Sequence, residues 1–299
     1  MIGRLKGMFA ASPSEGQPCR TGVVLQKRFM IQSDISSQGS MSRVYKAMDT
    51  ETGKTICLKV QNREQNEAAV ARASRHEARP PEGAIAIQVR HLNVIRTLEY
   101  GSTSNGEHYL VMEYINGVSF DRVQEAKLGR TAERVEWLAQ AADGLAAVHE
   151  AGFIHHDVNP RNFLINRDQK VKLIDFGLSV PNTAAFRKPG NRTGCLLYMA
   201  PELLRREPID ERIDIFGFGV VAFALLTDRH PYDTPASANT LLQRFSLPAN
   251  DPAKLKPKLS DELCEVLRSL TAVNKRDRWP LMATLSERLR SIPPKRPPA

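Results

Sequence analysis

Between residues 28 and 61 apolar and polar positions alternate with the period of a pleated strand. RFMIQSDIS (28–36) leads through SQGSMS into RVYKAMD (43–49), and the turn-like TETGK leads into TICLKV (55–60). This pattern predicts a three-strand meander with tight connections. The next stretch, QNREQNEAAVARASRHEAR (61–79), is rich in helix formers and predicts a helix stopped at Pro80-Pro81. Two further strand-like runs, VIRTLEYG and HYLVMEYI, flank the turn-rich STSNGE. After Gly117 the texture becomes helical: TAERVEWLAQAADGLAAVHEAG (131–152) carries apolar residues at helical spacing and ends in a glycine suited to a C-cap. KLIDFGLSV, a long loop and several helical patterns follow to about residue 290. The longest apolar run, FGFGVVAFALL (216–226), is preceded by Asp214 and is too short to span a bilayer, so it is read as a buried core helix. A small strand-rich half followed by a larger helix-rich half predicts an α+β architecture with its boundary near 114–118. Residues 1–22 lack periodicity and are expected to be a flexible arm, and 292–299 (IPPKRPPA) an extended Pro-rich tail.

Composition changes this picture little. The 299 residues are 41% hydrophobic and 25% charged, an ordinary globular balance, and the length fits two lobes or one large domain. Lys and Arg outnumber Asp and Glu by 42 to 33, for a net charge of +9. Such an excess suits anionic partners, or is simply a solvated basic surface. The four cysteines lie far apart with no metal-ligand spacing, which argues against a disulfide framework or zinc site and for a reducing compartment. The first residues lack the apolar core of a signal peptide and residue 2 is Ile, so the expected location is cytoplasmic, without a myristoyl anchor.

The polar chemistry concentrates in FIHHDVNPRNFLIN (153–166), too polar for a half-buried strand and broken for a helix by Pro160. Asp157 and Asn162 share this loop, and Asp175 follows the strand-like VKLI. A carboxylate and an amide oxygen can hold Mg²⁺ together with substrate phosphates, while the remaining acid orients a hydroxyl and accepts its proton. Lys59 ends the apolar run ICL, where an ammonium could meet a polyphosphate. Each residue alone has a plain alternative as a helix cap, an exposed lysine or a solvated amide.

Together the set resembles the protein kinase superfamily, from about Phe29 to Trp279. Ile56-Cys57-Leu58-Lys59 is similar to the VAIK strand, and Leu110 to Tyr114 to the strand entering the hinge. His155-His156-Asp157-Val158-Asn159-Pro160-Arg161-Asn162 sits where the family has HRDLKPEN. Asp175-Phe176-Gly177 and Met199-Ala200-Pro201-Glu202 are intact DFG and APE boxes, while Asp214, Gly219 and Arg278 match later family positions. The resemblance implies a two-lobed kinase domain over 23–291, with an N-lobe at 23–115 and a C-lobe at 116–291. It implies ATP and Mg²⁺ as cofactors and a protein with a Ser or Thr acceptor as substrate, with neither nucleic acid nor a membrane span expected. Lys59 would hold the nucleotide phosphates with Glu77 as its partner (Glu82 being the alternative), Asn162 and Asp175 would ligate Mg²⁺, and Asp157 would accept the hydroxyl proton. Met112 would be the gatekeeper, Glu113 and Ile115 would bond adenine through their backbones, and Val44, Cys57 and Leu164 would sandwich its ring. Ser37, Gly39 and Ser42 fall in the glycine-rich loop.

Three departures qualify the resemblance. Only the middle glycine, Gly39, survives in Ser37–Ser42, which implies a stiffer phosphate loop. Asn159 replaces a lysine that donates a charged hydrogen bond to the transferring group. Losing such a contact costs on the order of 100–1000-fold in rate, so a slow enzyme is expected. His156 replaces the arginine that reads an activation-loop phosphate, which implies activity independent of phosphorylation at loop threonines such as Thr183 or Thr193. Cys195 stands where the Ser/Thr branch has a threonine, although Pro160 and GCLLYMAPE favour that branch over the Tyr branch. A pseudokinase scaffold and a small-molecule phosphotransferase are the competing readings.

Overall fold

The meander read from the alternation forms half of a sheet. The computed structural model describes residues 19–36, 42–61, 79–189, 194–233 and 241–294. Of these, 19–61 and 97–114 make one compact unit, and 79–96 with 115–294 make a second.

The first unit is a six-stranded sheet, β1 Cys19–Val23, β2 Phe29–Asp34, β3 Ser42–Asp49, β4 Lys54–Gln61, β5 Thr97–Thr103 and β6 His108–Glu113, in the order β1-β5-β6-β4-β3-β2. β2, β3, β4 and β6 pair antiparallel in succession, with Val44 opposite Lys59 and Cys57 opposite Met112. Alternate residues Phe29, Ala47, Ile56, Leu58, Val60, Tyr109 and Val111 form the unit's apolar core. Beside it the one-turn helix α1 (Leu25–Arg28) delivers a buried Arg28, which bonds Asp49 at 3.1 Å and Glu99 at 2.7 Å. Tyr109 donates to the same Glu99 at 2.6 Å.

The expected arm ends earlier than the sequence suggested. Residues 19–23 are a strand, pairing in parallel with β5. Arg20 reaches Glu51 and Glu99 at 2.9 and 3.1 Å, which anchors the strand by charge where its apolar pattern is weak. The close pairing depends on Gly101, where a Cβ would lie 1.8 Å from the Arg20 carbonyl oxygen.

The second unit opens with the short helix α2 (Glu82–Ala86), whose N-cap is Pro81. The expected N-lobe boundaries are corrected here, because 79–96 groups with the helical unit. Hydrogen bonds explain it: Ile95 N–H donates to the Leu173 carbonyl at 2.9 Å, Leu173 N–H to that of Asn93 at 2.8 Å, and the Asn93 side chain to that of Val171 at 2.8 Å. β7 Gly117–Ser119, β9 Phe163–Asn166 and β10 Val171–Leu173 form a small sheet, and β8 Phe153–Ile154 pairs with β11 Val180–Pro181. Around them pack α3 Phe120–Glu125, α4 Thr131–Glu150, α5 Pro201–Arg205, α6 Arg212–Thr227, α7 Pro252–Leu255, α8 Asp261–Leu270 and α9 Met282–Ser291. α6 is the core helix read from FGFGVVAFALL, buried from Ile213 to Thr227. No helix among the described residues is long and apolar enough to cross a membrane. The helix expected over 61–79 falls mostly outside the described residues, except that Gln61 closes β4.

Candidate active site

The polar loop is held from below by one carboxylate. Asp214, in the first turn of α6 and 1% exposed, accepts His155 N–H at 2.7 Å and His156 N–H at 2.8 Å, and contacts His149 Nε2 at 2.9 Å. Burial alone would push its carboxyl up, but the bond to His149 and the surrounding donors outweigh it and hold the group below the ordinary aspartate value. Pinning two consecutive amides turns the chain sharply: His156 takes φ +72°. Burial also pushes the His156 imidazole below its ordinary value, so it is neutral near pH 7.

The turn delivers Asp157 with both carboxylate oxygens fixed. Oδ1 accepts Cys195 N–H at 3.0 Å, and Oδ2 accepts Asn162 Nδ2 at 3.1 Å. Asn162 Nδ2 also reaches the Asp157 carbonyl at 2.8 Å, so Oδ1 is the atom of that amide left to serve as a ligand. Ile174 N–H donates to the Asn162 carbonyl at 2.8 Å, which ties β10's end to the loop and sets Asp175 next to it in the chain. Asp175 sits at φ +66° and its Oδ1 accepts Gly177 N–H at 2.9 Å. Phe176, 1% exposed, packs on the His155 ring at 5.5 Å.

Asn159 corrects the expectation of a weak donor to the transferring group. Its Oδ1 accepts Arg161 N–H at 3.0 Å and its Nδ2 donates to the Asp157 carbonyl at 3.2 Å. The side chain is buried and caps the single 3₁₀ turn Pro160–Asn162. An asparagine bonds its own backbone two residues on more readily than a long cation can, so this position shapes the loop.

The remaining expected residues divide between the units. In the first unit Cys57 and Lys59 share one face of β4, both buried, and Val44 is half-buried on β3. Burial pushes the Cys57 thiol up to about 11, leaving it unreactive. Met112 is buried and Glu113 half-buried at the end of β6, and Ser42 opens β3. In the second unit Ile115 and Leu164 are half-buried, and Glu82 is buried in α2. Ser37, Gly39, Glu77 and Thr193 lie outside the described residues. Thr183 is corrected as a loop phosphosite, because its hydroxyl is buried and out of reach.

Several residues went unread in the sequence. Gly194 takes φ +105°, and a Cβ there would lie 3.1 Å from Asp157 Oδ1, so only glycine lets the Cys195 amide meet the aspartate without strain. Arg79 donates to the Gly177 carbonyl and is half-buried, its charge felt by Glu82 and Asp175. Arg244 lies under the 196–199 segment and donates to the Leu197 carbonyl at 3.1 Å and the Met199 carbonyl at 3.2 Å. Burial pushes it down to about 10. A glycine just ahead of an apolar turn is a legible signal for Gly194; nothing local marks the two arginines. Next to this segment, Glu202 and Arg278 form a buried bidentate pair at 2.6 and 2.7 Å, and Arg278 also holds the Ala272 carbonyl at 2.8 Å. Both residues were expected as family matches, and the pair locks α5 in place.

The α+β fold, with an aspartate fixed beside Asn162 on one loop and a second aspartate just after the strand β10 tied to that loop, defines the class as protein-kinase-like. A family model described as "Protein kinase domain" matches residues 34–289, and the chain belongs to that family. It is similar to a probable serine/threonine-protein kinase, pknA2, of Bifidobacterium longum, at 30% identity over 74% of this chain and 29% of that protein. A probable serine/threonine-protein kinase of Clostridium acetobutylicum is 30% identical over 77% of this chain and 35% of its own length. The serine/threonine-protein kinase PknL of Mycobacterium tuberculosis is 31% identical over 86% of this chain and 63% of its own. The chain thus spans less than two thirds of each of these relatives.

Proposed function

We propose that this chain transfers the γ-phosphoryl group of ATP to serine or threonine hydroxyls of proteins. The observation that carries the reading is Asp157, whose two carboxylate oxygens are oriented by the Cys195 amide and the Asn162 side chain. A fixed carboxylate suits alignment of an incoming alcohol and acceptance of its proton late in transfer. Phosphoryl transfer asks for positioning and electrostatics more than for covalent help.

The residues fit magnesium, because Asp175 and the Asn162 Oδ1, left free by the bonds of its Nδ2, are hard oxygen donors. An ion of this kind is held by one or two protein oxygens together with the substrate's own phosphates. When bound, it would neutralise charge on the triphosphate. Lys59 for the nucleotide phosphates, and Val44, Cys57, Met112 and Leu164 for the base, are assignments from resemblance. So are the glycine-rich loop residues Ser37, Gly39 and Ser42, and Glu77 as the partner of Lys59.

Acceptor class follows from Pro160, from the GCLLYMAPE segment and from relatives bearing serine/threonine names. With Asn159 committed to the loop and His156 neutral, the enzyme is slow and its rate does not depend on loop phosphorylation. A scaffold without turnover is the second reading, favoured by that same loss of a cation at Asn159. The buried Glu202–Arg278 pair, which stabilises the segment where a peptide would lie, disfavours a small-molecule acceptor.

Incubation with radiolabelled ATP and Mg²⁺ separates these. Wild type should label itself or a generic protein below the roughly 1–100 per second of ordinary kinases, Asp157→Ala should abolish labelling, and Asn159→Lys should raise it. Equal labelling by wild type and Asp157→Ala would remove the enzyme reading.

A further inference from the structure

Arg28, Arg134 and Arg278 are buried against carboxylates, whereas Arg244, 7% exposed, is buried against carbonyls. The 3₁₀ turn Gln243–Ser246 turns Arg244 and Phe245 inward and leaves Gln243 and Ser246 outside. Arg244 Nη1 donates to the Leu197 carbonyl at 3.1 Å, and Nη2 to those of Met199 at 3.2 Å and Leu196 at 3.4 Å. Its Nε is buried without a hydrogen-bond partner. A cation taken out of water without an anion destabilises the fold, and an apolar side chain would fill the same space with less penalty. What an apolar side chain cannot do is reach three carbonyls of one short segment.

That segment has little of its own to hold it. Leu196–Tyr198 is a single 3₁₀ turn with no side-chain cap. At its start the Cys195 N–H is engaged by Asp157 Oδ1 at 3.0 Å, and beyond its end Glu202 is fixed by Arg278. Between these two points the side-chain hydrogen bonds to the carbonyls of 196–199 all come from Arg244, among the described residues. The support beneath is aromatic. The Arg244 guanidinium lies over the Phe245 ring at 4.5 Å, and that ring meets Phe216 at 5.8 Å and Tyr232 at 4.9 Å. Arg278 lies over Phe216 at 4.9 Å, so one aromatic cluster carries both cations that anchor this part of the chain.

Resting on the kinase reading above, we propose that Arg244 is a positioning residue for the acceptor: it holds the 196–199 turn where the Cys195 amide meets Asp157, so that base and acceptor hydroxyl stay aligned. Transfer that depends on alignment is sensitive to small displacements of the parts that set it. With the turn loose, the Cys195 amide withdraws and Asp157 keeps only its bond to Asn162. A lysine at 244 retains the charge but offers one nitrogen in place of a rigid fork, so it holds fewer of the carbonyls.

Two measurements on the full chain test this. In hydrogen–deuterium exchange, Arg244→Met should speed exchange across 195–199 about ten-fold or more while α4 and α8 keep their protection. In phosphate incorporation, kcat/KM for a serine peptide should fall roughly 100-fold, with affinity for a fluorescent ATP analogue and Mg²⁺ held within about two-fold. Arg244→Lys should lie between wild type and Arg244→Met in both, and it carries the test alone should Arg244→Met fail to fold. If wild type phosphorylates no peptide, the kinase reading fails, while the exchange pattern still decides whether Arg244 holds the turn. Unchanged exchange at 195–199, or exchange that rises equally in α4 and α8, overturns the proposal. So does a loss of kcat/KM matched by an equal loss of nucleotide affinity.

Discussion

Asp157 and Gly194 show how far single positions carry the chemistry. The aspartate is worth little unless its oxygens are aimed, and one of the two aiming bonds comes from an amide that can approach only because residue 194 has no side chain. Gly194→Ala places an L-residue at φ +105° and a methyl 3.1 Å from Asp157 Oδ1. A strain of about 1–2 kcal/mol is expected, most easily relieved by letting Cys195 withdraw from the carboxylate. Turnover should fall roughly ten-fold or more, while the thermal midpoint shifts little. A variant with full activity would show that this bond does not orient the aspartate. At Asn159 the lesson differs: sequence reasoning treats the residue as an impaired lysine, whereas its two polar atoms are spent on the loop's own backbone.

At the scale of elements, buried charges fix where loops and helices stop. Asp214 belongs to the core helix α6, yet its hydrogen bonds are made by β8's continuation and by His149 on α4. Glu202 and Arg278 do the same for α5, because neither charge can return to water without dismantling the segment around it. Removing one partner of such a pair strands the other, at about 3–5 kcal/mol. Arg278→Met should therefore lower the thermal midpoint strongly and reduce peptide phosphorylation more than it reduces nucleotide binding. The double variant Glu202→Leu/Arg278→Met should recover part of the lost stability, since no charge is left alone. Failure of the double variant to recover any would assign the role of Arg278 to its carbonyl bonds instead.

For the molecule as a whole, stability should depend on pH through histidines held neutral. Burial lowers His156, and burial with the Arg244 charge lowers His230, both from an ordinary value of 6.5. A depressed histidine binds fewer protons folded than unfolded below that value, so its contribution is whole above pH 6.5 and is lost as pH falls toward the folded value. The His149 bond and the neighbouring donors outweigh burial and keep Asp214 below its ordinary 3.8, and Asp210 is held at about 2 by Arg212 against burial. Their contributions persist above 3.8 and vanish only in stronger acid. Thermal midpoints should thus be flat above pH 6.5, slope downward as pH falls below it, and drop further once pH falls below the ordinary carboxylate value of 3.8. His230→Asn should flatten the middle slope; an identical slope in that variant would remove His230 from the account.

The alternation over 28–61 and the helical spacing over 131–152 were legible because both depend on which face of a local element meets an apolar core, a property each segment carries in its own side chains. The ordered motifs around Asp157, Asn162 and Asp175 were legible as motifs because the residue types and their spacing stand in the chain itself. The strand at Cys19–Val23 was not, because its pairing is with Tyr100 to Thr103, some eighty residues away, and charge rather than apolar pattern anchors it. Nor was the attachment of 79–96 to the helical unit, which rests on backbone bonds to Val171 and Leu173. By itself the sequence determined the α+β class, the order of most elements and which groups are candidates for the chemistry. Tertiary structure alone decided that Asn159 caps a turn, that Gly194 must be bare and that Arg244 reaches the 196–199 carbonyls, because each depends on which distant atoms come within a hydrogen bond of it.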